Sequence, residues 1–500
     1  MQAPRSLSAR LRAAAGWVVP VSKSLGTCCA LLTLLSVVPT ARAQAPTATQ
    51  RNAASRLRSQ PEVVAAPPAA SAAPPATPGG QPTYEFESGP PISEGEIFDS
   101  GEFSGEMMGG EHYDESMDYR PLDSGYGRYG CSDGCRHPFH CHQLYFRADY
   151  LLWWGKGFTA PPLVTTSTAG TSVDDAGVLG LSGTAILFPG DAIADTSQSG
   201  GRVRLGYWFD PCDTMAVEAT YFAIGQATTS FSASDFDYAI LARPFVNLTP
   251  NVLANDAALV AYPNLYSGSI NASGNSSLQG IEVVARHIIS RGCDWRLDWT
   301  LGWRYNRLDE SLSISTDRVT LGSPTAPTTG ATLAGWDRFS TNNYFNGVQL
   351  GMISEVRKQR WWFETRATLA LGNNRAIVNI DGQSTAVTPV QGGQSQTVVS
   401  PGGLLTQPTN IGEYYNDDFA VVPQIGANLG FELTSGLWLT VGYNFMYWSR
   451  TARPGEQIDT DLNLSQAGGG ELVGLARPSF TGLTTDYWAQ GLNFGLAYRY

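Results

Sequence analysis

Gly491-Leu492-Asn493-Phe494-Gly495-Leu496-Ala497-Tyr498-Arg499-Tyr500 alternates with a period of two, which sets Leu492, Phe494, Leu496, Tyr498 and Tyr500 on one face of an extended chain. A strand with one apolar face and an aromatic final residue suits the wall of a membrane barrel, where one side meets lipid and the other a polar interior. Asn493, Gly495, Tyr498 and Tyr500 also follow the polar-x-Gly-x-x-aromatic-x-aromatic order of the assembly signal that bacterial outer-membrane barrels present to their insertion machinery.

The opposite end agrees. Arg5, Arg10, Arg12 and Lys23 precede an apolar run over 25–38, followed by Ala41-Arg42-Ala43, a small-x-small cleavage pattern. Residues 1–43 therefore read as a removable export signal. The run is shorter than the roughly 20 residues of a spanning helix, and no later stretch approaches that length, so a membrane crossing has to be made by strands. Cys28 and Cys29 stand at the beginning of the apolar run, the wrong end for a lipoprotein.

Composition fits a strand-and-loop protein: 54 glycines, 11% aromatic, 15% charged and 42% apolar residues. The formal charge of −12 comes almost entirely from residues 84–123, where twelve carboxylates face one Arg. No basic stripe of the kind nucleic acid requires is present, so that partner is set aside.

Along the chain, 44–83 is Ala-, Pro- and Thr-rich with almost no aromatics and is expected to be disordered. Residues 84–130 form an acidic Gly/Ser/Tyr-rich linker whose carboxylates match no EF-hand spacing and read as solvated. Residues 131–142 are rich in Cys and His. From 143 to 500 the chain alternates. Trp295, Leu297, Trp299, Leu301, Trp303 and Tyr305 against Arg296, Asp298, Thr300, Gly302 and Arg304 is its cleanest two-faced strand.

Period-two segments at 143–154, 202–209, 215–223, 278–288, 294–306, 342–353, 361–371, 419–432, 437–448 and 487–500 predict an all-β, transmembrane, antiparallel up-and-down barrel of about ten strands, within a range of roughly 8 to 14. Connections alternate strictly between long and short. With short turns on the periplasmic side, both chain ends lie in the periplasm. The stretches 311–316 and 376–380 could extend walls or add a hairpin. Trp153, Trp154, Tyr447, Trp448, Tyr487 and Trp488 at loop ends, and Trp295, Trp361, Trp362, Tyr498 and Tyr500 at turn ends, are expected to form two aromatic girdles; the alternative places Trp in a sandwich core.

Several blocks carry a resemblance: Phe146-Arg147-Ala148-Asp149-Tyr150-Leu151-Leu152-Trp153-Trp154, Gly302-Trp303-Arg304-Tyr305, Gly347-Val348-Gln349-Leu350-Gly351, Tyr447-Trp448-Ser449-Arg450 and, most specific, Arg453-Pro454-Gly455-Glu456-Gln457-Ile458-Asp459. Over about residues 140–500 the chain resembles the planctomycete β-barrel porin-7 family. The resemblance implies an outer-membrane barrel; the family's name is itself an inference from barrel patterning.

Inward faces are expected to carry Arg147, Arg202, Arg204, Arg286, Arg296, Arg304 and Arg366 against Asp149, Glu218, Glu282, Asp298, Glu364 and Glu432. Opposite charges on neighbouring strands pair, and small barrels are filled by their own side chains. A narrow, ion-paired lumen follows, read either as a selective pore with an Arg ladder or as a polar structural core under loops that bind or shield. Cys131, Cys135 and Cys141, with His137, His140 and His142, superficially offer zinc ligands. An exported, oxidising setting instead favours disulfides among these cysteines and Cys212 and Cys293, both in short turns. No metal or other cofactor is expected.

Catalysis is not expected either, since the only histidine beyond 142 is His287, beside a short turn, and Asp417 and Asp418 read as solvated loop acids. The expected function is limited passive passage of small solutes through an outer-membrane barrel, whose partners are outer-membrane lipid and the insertion machinery. The alternatives are a plugged barrel for anchoring or surface recognition, and a secreted soluble adhesin or lectin.

Overall fold

A computed structural model describes residues 144–210, 212–322, 329–390 and 393–500. The segments 1–43, 44–83, 84–130 and 131–142 therefore lie outside the described residues, together with Cys131, Cys135 and Cys141.

The strands are β1 (Leu144–Gly155), β2 (Val164–Ser167), β3 (Thr184–Phe188), β4 (Gln198–Trp208), β5 (Met215–Ser234), β6 (Leu241–Asn247), β7 (Ala254–Ala261), β8 (Tyr266–Arg291), β9 (Trp295–Thr320), β10 (Thr332–Lys358), β11 (Trp361–Pro389), β12 (Ser395–Pro401), β13 (Gly412–Thr434), β14 (Leu437–Thr451), β15 (Asp461–Leu462) and β16 (Thr485–Arg499). Ten of them pair edge to edge in the circular order β10, β9, β8, β5, β4, β1, β16, β14, β13, β11, and the β10–β11 ladder closes the ring. Every neighbour is antiparallel, and the first strand pairs with the last, from Tyr145 opposite Arg499 to Gly155 opposite Ala489. At the level where all ten strands run side by side, closure leaves no unpaired edge, the condition for strands to stand in hydrocarbon.

The two-sided pattern of β9 shows why these residues form a wall. Trp295, Trp299, Leu301 and Trp303 are exposed on the outside, while Arg296, Asp298, Thr300 and Arg304 are buried inside. At about 3.3 Å per residue and a tilt near 45°, the run 295–305 covers roughly 25 Å of height, the thickness of the lipid-facing band of such barrels. At the loop-end margin of this band, four outer-face aromatics bond to a polar group on the next strand: Tyr150 with Ser199, Tyr221 with Gln279, Trp303 with Asn346 and Tyr443 with Gln490. An apolar ring body with a bonded polar tip suits a membrane–water boundary.

The walls rise further than the sequence predicts. β8 to β11 run for 26, 26, 27 and 29 residues and β13 for 23. The stretches 311–316 and 376–380 extend β9 and β11, while 271–277 and Asp417-Asp418, expected in loops, belong to β8 and β13. The physical reason is a change of surroundings rather than of backbone. Outside these upper walls stand Asn271, Asn373 and Asp417; inside, Ile270, Leu312, Ile314, Phe339, Val378 and Ile380 are buried against loop residues.

That packing makes a second core beyond the lipid band. A small sheet in the order β15, β6, β2, β3, with β7 on β6, comes from three loops. Phe158, Leu163, Val164, Phe188, Leu241 and Phe245 from the loops meet the inner faces of the tall strands. Arg243 on β6 pairs with Asp337 on β10 at 2.7 Å, and Asp337 also accepts from the backbone N–H groups of Leu405 and Thr406 at 2.9 and 2.8 Å, so one buried carboxylate fastens two loops to the wall. The loops thus form a packed head.

Candidate functional site: the barrel interior

The interior is layered from the turn end upward. Nearest the turns, Arg286 donates to Asp298 and to Glu355, each at 2.5 Å, and Arg499 reaches Glu355 at 3.4 Å. Arg296 binds Asp298 at 3.0 Å and donates to the Asp213 carbonyl at 2.9 Å. Trp208 lies beneath both cations, 5.1 Å from the Arg286 guanidinium and 4.4 Å from that of Arg296.

One layer up, bonds cross the ring. Arg204 on β4 comes within 3.6 Å of Glu364 on β11, and these two strands lie five places apart in a circle of ten, directly opposite each other. Arg366 on β11 donates to both oxygens of Glu218 on β5, at 2.6 and 3.1 Å. The Tyr145 hydroxyl donates to Glu218 at 2.7 Å. Arg147 donates to Asp149 at 2.8 Å and to Asn428, three strands away, at 2.8 Å, while Arg202 donates to the other oxygen of Asp149. Slightly higher, Arg304 pairs with Glu282 at 3.5 Å and donates to Gln424 on β13 at 2.6 Å. A channel through this level would have to pass between groups already in contact.

Above the ions lies an apolar belt. Leu151, Phe222, Leu278, Phe345, Val422 and Met446, each from a different strand, are buried together with Trp153, Trp448 and Tyr487. Two expectations change here. Trp153, Trp448 and Tyr487, and Trp362 lower down, belong to the interior and not to the lipid girdles. Their positions follow the strict alternation of side chains: Trp153 shares its face with Arg147 and Asp149. Trp295, Trp361, Tyr498 and Tyr500 do face outward.

The mouth is occupied by the chain itself. After β14, residues 452–457 turn into the barrel, with a 3-10 turn at Pro454–Gln457. Arg453, almost fully buried, forms a bidentate pair with Glu310 of β9 and donates to the Lys156 carbonyl at 2.8 Å. Its guanidinium lies 5.3 Å from the Tyr487 ring and 5.8 Å from that of Phe158. Asn343 of β10 holds the same segment by a reciprocal pair with the Ala452 backbone, 2.8 Å each way.

Twelve of the thirteen inward charges named from sequence are buried: Arg147, Asp149, Arg202, Arg204, Glu218, Glu282, Arg286, Arg296, Asp298, Arg304, Glu364 and Arg366. Glu432 is the exception. It is half-buried near the turn end, and its backbone carbonyl, not its carboxylate, accepts from Arg360 at 2.6 Å. Glu310, Glu355, Arg453 and Arg499 are members of the interior that the sequence reading missed. Glu355 and Glu310 lay just past the predicted strand ends, although period-two counting from Gln349 and from Arg304 reaches both.

Asn493 and Gly495 face inward. Asn493 accepts from the Trp153 indole at 2.8 Å, and Gly495 makes room for Asp149. Tyr498 and Tyr500 are exposed outside. Cys212 and Cys293 lie in or beside turns at the same end of the barrel, and Arg291 donates to the Cys212 carbonyl at 2.6 Å. His287 is on the outer face against Trp299, with ring centroids 6.0 Å apart.

A closed ring of antiparallel strands with an apolar exterior and a charged interior defines an outer-membrane β-barrel. The family described as Putative beta barrel porin-7 matches residues 145–500, and the chain belongs to that family. Among solved structures it is similar to the outer membrane protease OmpT from Escherichia coli, at 10% identity over 72% of this chain and 97% of that one, with a TM-score of 0.30. It is also similar to a TodX deltaS2S3 mutant monoaromatic hydrocarbon channel, at 7% identity over 72% and 90% with a TM-score of 0.18. For a Pseudomonas aeruginosa FadL homologue the figures are 9% identity over 71% and 89%, with a TM-score of 0.20. No curated protein matches the chain.

Proposed function

We propose that this outer-membrane barrel is plugged and works as an anchor: the ion-paired interior makes a rigid cylinder that holds the packed head of loops outside the membrane for surface recognition. The observation that carries the reading is the Arg204–Glu364 contact between diametrically opposite strands, reinforced by the apolar belt and the Arg453 plug above it. Limited passage of small solutes is the second reading. It is favoured by the family's name and by the density of polar groups inside. Purified protein in a planar bilayer separates the two. The anchor gives a silent membrane, whereas steady ion-selective steps would establish the pore.

In this reading the turn end and both chain ends face the periplasm and the head faces outward, as in other barrels with short turns and long loops. Protease added to intact cells then cuts the loops and spares the turns. Asn493, Gly495, Tyr498 and Tyr500 serve as the signal for the insertion machinery, with Asn493 and Gly495 also filling structural roles. Cys212 and Cys293 take part in disulfides with the Cys131–Cys141 segment, clipping the amino-terminal extension to the barrel floor; support comes from the oxidising compartment and their common position at the turn end. Non-reducing peptide mapping that recovered all five thiols free would remove this clip. Catalysis has no place in the reading, with His287 on the exterior.

A further inference from the structure

We propose that the turn end of the barrel holds a binding site for a small oxyanion. A small cleft opens there, lined by Arg147, Arg204, Arg286, Arg296 and Arg499 against only Glu218, Glu355 and Glu364. The carboxylates are shared: Glu355 between Arg286 and Arg499, Glu218 between Arg204 and Arg366, and Glu364 between Arg147 and Arg204. Including the partners just behind the lining brings Arg202, Arg357 and Arg366 against Asp149 and Asp298, so eight guanidiniums meet five carboxylates among the described residues. Counting the nearby Asp213 as ionised still leaves positive charge in excess.

Buried charge without a counter-ion is unfavourable, and the donors for one are present. Arg147 Nη1 is buried and makes no hydrogen bond, with the Glu364 carboxylate 3.7 Å away. Trp362 lies 5.8 Å from both the Arg147 and the Arg499 guanidinium, and Trp208 lies under Arg286 and Arg296. Stacking fixes the planes of these forks and leaves N–H edges to meet the oxygens of a phosphate-like or carboxylate-like group, which a planar fork binds two at a time. The cross-lumen contact between Arg204 and Glu364 itself lines this site, and binding at the turn end does not depend on whether the barrel conducts.

The test uses the full chain in detergent, with inorganic phosphate as the probe and sodium chloride at equal ionic strength as the control. Trp208 and Trp362 report through fluorescence. Phosphate is expected to give a saturable change that chloride does not. Arg499→Gln, at the rim of the cleft, shifts the midpoint at least tenfold, and Arg338→Gln, exposed on the upper outer wall, leaves it in place. A phosphate response equal to that of chloride overturns the site. So does an unchanged midpoint in Arg499→Gln with heat-modifiable gel mobility intact, or an equal shift in Arg338→Gln.

Discussion

Arg366 on β11 holds both oxygens of Glu218 on β5, at 2.6 and 3.1 Å, from four strands away around the ring. Neighbours in a sheet meet along one surface; this pair instead braces the tube across its width. Removing one partner strands the other in a dry interior, a loss of about 3–5 kcal/mol for buried pairs. Arg204 and Tyr145 remain on Glu218, so Arg366→Ala is expected near the lower end, about 3 kcal/mol, in urea unfolding from phospholipid vesicles. Glu218→Gln combined with Arg366→Gln recovers part of that loss.

The mouth plug gives a separable outcome. Arg453→Ala leaves Glu310 buried without its cation and frees the 452–484 connection from the barrel. Limited proteolysis is expected to cut that connection much faster than in the parent. The bilayer stays silent, because Arg204, Glu364 and the apolar belt lie beneath. Conductance appearing in this variant would make the plug the only seal.

Stability also depends on pH through the turn between β4 and β5. Burial raises the Asp213 carboxyl from 3.8 to about 6, against the opposing pull of Arg296 and Arg499. The folded value lies above the unfolded one, so folding favours the protonated form. This contribution is full below about pH 4, falls as pH rises from there to about 6, and is absent above. Two units correspond to roughly 2–3 kcal/mol. Asp213→Asn, which keeps a side chain tolerant of the positive φ of 51° at this position, is expected to flatten the unfolding midpoint across that interval.

Two glycines separate close approach from open space. A methyl group at Gly495 would stand 2.1 Å from Asp149 Oδ1 and 2.6 Å from the Ala148 carbonyl, whereas at Gly201 nothing lies within 4 Å. Gly495→Ala is expected to cost about 1–3 kcal/mol through overpacking, read as a lower temperature for the heat-modifiable gel shift. Gly201→Ala leaves that temperature unchanged.

The ten lipid-crossing segments were legible because the membrane imposes alternation directly: Trp299, Leu301 and Trp303 could not exchange places with Asp298, Thr300 and Arg304. The upper walls were hidden for the converse reason. Once a strand leaves lipid its outer face turns to Asn271, Ser273 and Asn275, which read as loop, and its inner face is chosen by contacts with loops far away in sequence, such as Phe339 with the residues around Phe245. Aromatics misled at strand ends, where Trp153 and Trp154 are equally bulky and only parity distinguishes inside from outside. Arg453 was noticed as part of a motif, but its partner Glu310 lies 143 residues earlier, and nothing local in the chain links the two.

Joining β1 to β16 has a consequence for biogenesis. One edge of β1 can pair with β4 early, but its other edge finds its ladder only after the fifteen residues of β16 have been delivered, so the earlier strands wait as an unsealed ribbon with two raw borders. A chain lacking β16 would have to place those borders in hydrocarbon, where each unmet peptide group costs several kcal/mol. It should therefore persist as a chaperone client rather than insert as a smaller cylinder.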